Sequence, residues 1–182
     1  DLEIDVFKSM IKTFGGNLSN WTGFINGGSS AGNFYALLLC REWFLSQGYK
    51  KITLFHTRLT HHSIISSAKI LGLKLEQVEL SDQWIMDINK LEDKLLSLES
   101  NEAGCIFLTW GYKQTGTLDQ LSAVQNIIDK LKINKQVGTC LDAAFDGLVV
   151  PFSPKPIKPL CLSSLFAMTF DFHKYLGVPA PA

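Results

Sequence analysis

The feature that most constrains this chain is a series of apolar runs without polar alternation, each separated from the next by a stretch of helical spacing. Residues 52–56, 105–109, 137–144 and the run from Leu165 onward each place apolar or β-favouring side chains at successive positions. Strands of that kind are buried on both faces, the condition of a parallel sheet covered by helices. Between them, residues 3–14 carry Ile4, Phe7, Met10, Ile11 and Phe14 at helical spacing, and 87–99 carry Ile88, Leu91, Leu95 and Leu98. The same pattern recurs at 118–132 with Leu121, Val124, Ile128 and Leu131, and further helices are predicted at 33–46 and 62–71. Shorter strands are predicted at 21–25 and 77–80. The expectation is an α/β fold, a mostly parallel sheet with helices on both faces, and such sheets bind ligands beyond the carboxyl ends of their strands.

Composition narrows the function classes. A length of 182 residues suits one domain, and a net charge of +0 argues against general affinity for nucleic acid or an anionic membrane. The apolar runs are too short to span a bilayer. Cys40, Cys105, Cys140 and Cys161 show no C-x-x-C pairing, so the thiols are expected to be reduced, the protein cytoplasmic and the chain without a metal site. The chain opens on Asp1 rather than Met and closes on Gly177-Val178-Pro179-Ala180-Pro181-Ala182, shortly after Lys174. Those ends predict the middle of something longer.

Chemistry concentrates at four places. Gly27-Gly28-Ser29-Ser30-Ala31-Gly32-Asn33 opens a helix, where converging N–H groups and the helix dipole favour an anion. The loop is neither a Walker loop nor a dinucleotide loop, and a plain Gly/Ser turn is its alternative. Asp142 closes the 137–144 run in Leu-Asp-Ala-Ala, where it either faces a ligand or caps the following turn. His61, in Thr60-His61-His62-Ser63, either stacks on an aromatic ligand or caps the second helix. Lys174 follows a buried apolar run as a candidate amine nucleophile, with a surface lysine as its alternative. Asp119 and Asp129 are expected to be ordinary helix-face charges. A phosphate cradle, a carboxylate, a stacking histidine and a lysine at a strand end together suit pyridoxal 5'-phosphate.

The same residues resemble the pyridoxal-phosphate-dependent group II amino acid decarboxylases, of the type I (aspartate aminotransferase-like) fold. The resemblance rests on residues 21–33, Thr60-His61-His62-Ser63, Thr115-Gly116-Thr117-Leu118-Asp119, Leu141-Asp142-Ala143-Ala144 and His173-Lys174, in order and spacing. Leu39-Cys40-Arg41-Glu42 and the Trp21 to Gly28 opening are most similar to the histidine and serine decarboxylase branch. The resemblance implies Lys174 as the Schiff-base lysine and Asp142 as the partner of the ring nitrogen. It implies Ala144 and His61 sandwiching the ring, with Ser29, Ser30 and His173 reaching the phosphate. Lys174, Asp142 and His61 would be the catalytic residues. It further implies an incomplete large domain over 1–182 lacking a C-terminal small domain, a small-molecule amino acid substrate, and a homodimer of the full-length protein. Three positions depart from the pattern. Lys113 stands where a small Thr is frequent, Cys140 where a His is frequent, and Asp171 where a small polar residue near the phosphate is common. An aminotransferase or lyase of the same fold, or a truncated inactive domain, are the alternatives.

Overall fold

The computed structural model describes residues 1–178; residues 179–182, part of the expected 1–182 domain, lie outside the described residues. Helix α1 (Leu2–Thr13) precedes α2 (Ser29–Ser46). There follow β1 (Lys51–His56), α3 (His62–Ile70), β2 (Lys74–Gln77), α4 (Ile88–Leu96), β3 (Glu102–Thr109), α5 (Leu121–Leu131), β4 (Val137–Asp142) and β5 (Leu165–Thr169). The five strands form one sheet in the order β2-β1-β3-β4-β5, and every pairing is parallel. The chain leaves β1 toward β2 and returns on the other side through β3, so strand order reverses beside β1.

Side-chain alternation along each strand builds two cores. Leu54, Cys105, Phe107 and Cys140 point toward α2 and α3, where they meet Leu37, Phe44, Ile64 and Ala68. Their neighbours Phe55, Ile106, Leu108 and Leu141 point the other way, against Leu91, Leu95, Val124 and Ile128 of α4 and α5. Helices therefore cover both faces, as expected. Every residue of β3 is buried, which explains the apolar run over 103–108 between Glu102 and Thr109. Burying side chains of this size contributes roughly 1.5–3 kcal/mol each. Helix caps add less, typically about 1 kcal/mol apiece. Asp87 supplies one, accepting from the N–H groups of Asn89 at 2.9 Å and Lys90 at 3.1 Å.

Three expectations need correction. Residues 21–25 form no strand: the Trp21 indole donates to the Leu160 carbonyl, and the Ile25 N–H donates to the Glu3 carboxylate. The segment is anchored by side chains rather than by a neighbouring strand. The predicted 77–80 strand lies earlier, at Lys74–Gln77, because pairing with β1 sets its register; Leu80 makes only an isolated bridge to Met86. The final run is not buried on both faces. In β5, Phe166, Ala167 and Met168 are half-buried, since the strand is the sheet edge among the described residues.

Candidate active site

The functional candidates converge beyond the carboxyl ends of β1, β4 and β5. Asp142 is the last residue of β4 and shares the α2 face of the sheet with Cys140, two positions earlier. One carboxylate oxygen accepts the Asn33 side-chain N–H at 3.0 Å, and the other accepts the Ala144 backbone N–H at 3.1 Å. The turn cap expected of Asp142 is the Ala144 bond, and its other oxygen meets Asn33. Only 6% of Asp142 is exposed. Burial pushes its carboxyl above the usual carboxylate range, while the Ala144 and Asn33 hydrogen bonds and the charges of Lys174 and His61 pull the other way. Those last influences place Lys174 and His61 within electrostatic reach of Asp142.

Asn33 belongs to the motif at the start of α2, and its role was not assigned from sequence. It is 1% exposed, and its Oδ1 is buried without a hydrogen-bond partner among the described residues. One turn after Ser29, its position faces the sheet, which is the signal that could have identified it. The close approach of α2 to β5 depends on Gly32: a Cβ there would lie 2.5 Å from Cγ2 of Thr169.

At the N-terminus of α2, Gly28 occupies the cap position at φ 120, and the Ser29 N–H donates to Asp171 Oδ1 at 2.9 Å. A Cβ on Gly27 or Gly28 would meet nothing within 4 Å, so this loop fronts open space. Ser29 is half-buried and Ser30 exposed. Lys174 lies in a turn after β5 rather than at the strand end. Its ammonium stands 3.2 Å from Asp171 Oδ2 and 4.2 Å from the centroid of the Phe145 ring. His173 Nε2 is 3.7 Å from the same Oδ2.

His61 caps α3: its Nδ1 accepts the Ser63 N–H at 3.3 Å and pairs with the Ser63 hydroxyl at 2.8 Å. Its ring is exposed, with the His62 ring 4.2 Å away between centroids. Partial burial, His62, Lys174 and Lys113 favour its neutral form, with Asp142 opposing. Lys113 is exposed but near enough to act on His61. Ala144 is buried directly after the Asp142 turn.

Two clusters were missed from sequence. Asp119 is no helix-face charge. It is 2% exposed and accepts from the Met86 N–H at 2.8 Å, the Thr109 N–H at 2.8 Å and the Tyr112 hydroxyl at 2.7 Å. Tyr112 in turn meets the Thr57 hydroxyl at 3.0 Å, which ties the loops after β1 and β3 together beneath the site. The Cys40, Cys105 and Cys140 sulfurs all lie within 4.8 Å of one another in the core between α2 and the sheet. A cavity of about 940 Å³ is not centred on the charged groups. It lies between α1, α2 and β5 and touches them through Gly32 and Asp171.

The arrangement joins a buried acid, an amine, an unpaired amide oxygen and a helix N-terminus facing open space. Residues 2–181 match the family described as the pyridoxal-dependent decarboxylase conserved domain. Histidine decarboxylase of Pseudomonas entomophila (strain L48) is 25% identical over 182 residues, which are 100% of this chain and 44% of that protein. Sphingosine-1-phosphate lyase Bpss2021 of Burkholderia pseudomallei K96243 superposes with a TM-score of 0.83 at 16% identity, covering 98% of this chain and 42% of that one. Glutamate decarboxylase of Lactobacillus brevis CGMCC 1306 gives the same TM-score, identity and coverage. The chain therefore spans less than half the length of these relatives, and it shares the fold of the solved ones.

Proposed function

Because the chain belongs to the pyridoxal-dependent decarboxylase family, we propose that it forms the cofactor-binding large domain, residues 1–182, of an enzyme that decarboxylates an L-amino acid to an amine and carbon dioxide. The observation that carries this is the Asp142 carboxylate, buried at the end of β4, held by Asn33 and Ala144, with Lys174 in electrostatic reach. Pyridoxal phosphate, when bound, supplies an aldehyde and a ring that takes up the electrons released as carbon dioxide departs.

The chain's own residues fit the ring end of that group. Asp142 would hold a proton on the ring nitrogen, and its two existing hydrogen bonds keep the carboxylate from rotating away. The unpaired Asn33 Oδ1 shows that the polar end of this pocket has capacity to spare. Lys174 would be the amine that bonds the aldehyde and is later displaced by substrate. Ala144, with no side chain beyond Cβ, leaves one ring face open, and His61 would cover the other. Ser29, Ser30 and His173 would lie toward the phosphate, where the fit is not clean.

Histidine is the first substrate to test, supported by the histidine decarboxylase likeness at 25% identity. An aminotransferase or lyase of the same fold is the second reading, since a lyase and a decarboxylase superpose on the chain equally well. The reading carries with it a homodimer of the whole protein. In its support, Tyr35, Leu39 and Trp43 form an exposed apolar stripe at spacings of four along α2. A cytoplasmic location is the companion expectation, supported by the free buried thiols. No helix among the described residues is long and apolar enough to cross a membrane. The test is product analysis: pyridoxal phosphate and a panel of amino acids are supplied, histidine first, and amine and carbon dioxide are measured. Both should appear and both should vanish in Lys174→Ala. An aldehyde or keto acid without carbon dioxide would point to the lyase or aminotransferase instead.

A further inference from the structure

We propose that Asp171 is an internal counter-anion: it occupies the anion seat at the N-terminus of α2 and pairs with Lys174, so a cofactor phosphate must displace a carboxylate of the chain itself. This rests on the cofactor reading above. The geometry joins three contacts on one side chain that is 2% exposed. Oδ1 takes the Ser29 N–H at 2.9 Å, the first backbone donor of the helix. Oδ2 faces Lys174 Nζ at 3.2 Å and His173 Nε2 at 3.7 Å. One carboxylate thus holds the backbone donor, the amine and the imidazole that a phosphorylated aldehyde would need.

The seat is held loosely on one side. Oδ2 has charge contact with Lys174 but no aligned hydrogen bond among the described residues. Gly27 and Gly28 leave the mouth of the seat open, so an incoming anion meets no side chain there. A phosphate arriving beside Asp171 adds negative charge to a place that already carries one, and the two repel. A shared Lys174 cannot neutralise both. Asp171 therefore discriminates between ligands by charge: it weakens a phosphate ester far more than the dephosphorylated aldehyde of the same ring.

The test uses pyridoxal phosphate and pyridoxal as paired probes, with the wild type, Asp171→Asn and Asp171→Ser. Asparagine keeps an acceptor for the Ser29 N–H and removes only the charge, so it decides the matter even if the serine variant folds poorly. Binding is followed by calorimetry, and covalent attachment by borohydride reduction and peptide mapping. At low ionic strength Asp171→Asn should bind pyridoxal phosphate at least about tenfold more tightly, with the gain shrinking as salt is added. Pyridoxal shares only the part of the gain that comes from releasing Lys174, so its affinity should rise several-fold less than that of pyridoxal phosphate and without the same salt dependence. Equal pyridoxal phosphate affinity in wild type and Asp171→Asn would overturn the proposal, as would an equal gain for pyridoxal. If wild type still gives a Lys174 adduct in that case, the cofactor reading survives and only the role of Asp171 falls. Absence of an adduct from all three proteins would remove both.

Discussion

Burial moves the Asp142 carboxyl toward its protonated form, against the Ala144 and Asn33 hydrogen bonds and the charges of Lys174 and His61. A group whose pKa is higher in the fold contributes stability that is complete below its unfolded value, near pH 4, and is lost as pH rises through the folded one. In the cofactor-free protein, Asp142→Asn should therefore match or trail wild type in acid. It should gain on wild type as pH rises toward neutral. Urea unfolding at stepped pH measures the stability difference, variant minus wild type, and a difference that stays flat or falls toward neutral pH would contradict it. On the proposed chemistry the same substitution should lower turnover by about 10²-fold or more, because a preorganised charge is lost. At Lys174 the expectation is simpler. Lys174→Ala should abolish the borohydride-fixed adduct, and an adduct mapping to Lys113 would assign the amine wrongly.

Helix α2 carries the site because it lies against β5 and over the end of β4. Gly32 allows that contact: an added Cβ would fall 2.5 Å from Thr169 Cγ2. Gly32→Ala should lift the first turn of α2, strain the Asn33–Asp142 bond and destabilise the protein by about 1–3 kcal/mol. Thr169→Ala removes the obstructing methyl, so the double variant should recover much of that loss. A double-mutant cycle checks it, and strict additivity would show that α2 and β5 are not coupled here. Two other elements show where local signals stop. β3 was legible over 105–109, where its buried positions are mostly apolar, while its start at Glu102 was not, because a buried carboxylate carries no strand signal. Residues 21–25 look like a strand by composition, yet the Ile25 N–H is taken by the Glu3 side chain instead of a ladder.

At the scale of the molecule, two cores share one sheet, so neither can empty without exposing the strands that hold the other. Phe107→Ala on the α2 and α3 side should cost about 3–5 kcal/mol. Ile128→Ala on the α4 and α5 side should cost about 2–5 kcal/mol. Each should shift a single cooperative urea transition without changing its slope. Far-ultraviolet circular dichroism and fluorescence of the fully buried Trp110 should report the same midpoint. Two separated midpoints would mean that the helical layers unfold independently.

Apart from the strand expected at 21–25 and the position of β2, the order and type of the elements, the parallel sheet and the location of Asp142 at a strand end were contained in the sequence. Apolar continuity and helical periodicity are local properties, each read within a dozen residues. What only the tertiary structure decided are the contacts between distant segments. Asn33 meets Asp142 across 109 positions, and Asp171 meets the Ser29 N–H across 142. Asp119 looks like a helix-face charge beside its neighbours, and becomes a buried anchor only when Met86 and Thr109 fold against it. Three cysteines spread from position 40 to 140 come within 4.8 Å because strand pairing and the seating of α2 bring them together. Such contacts depend on how helices seat on the sheet, and that is settled by the packing of the whole core rather than by any stretch of residues within it.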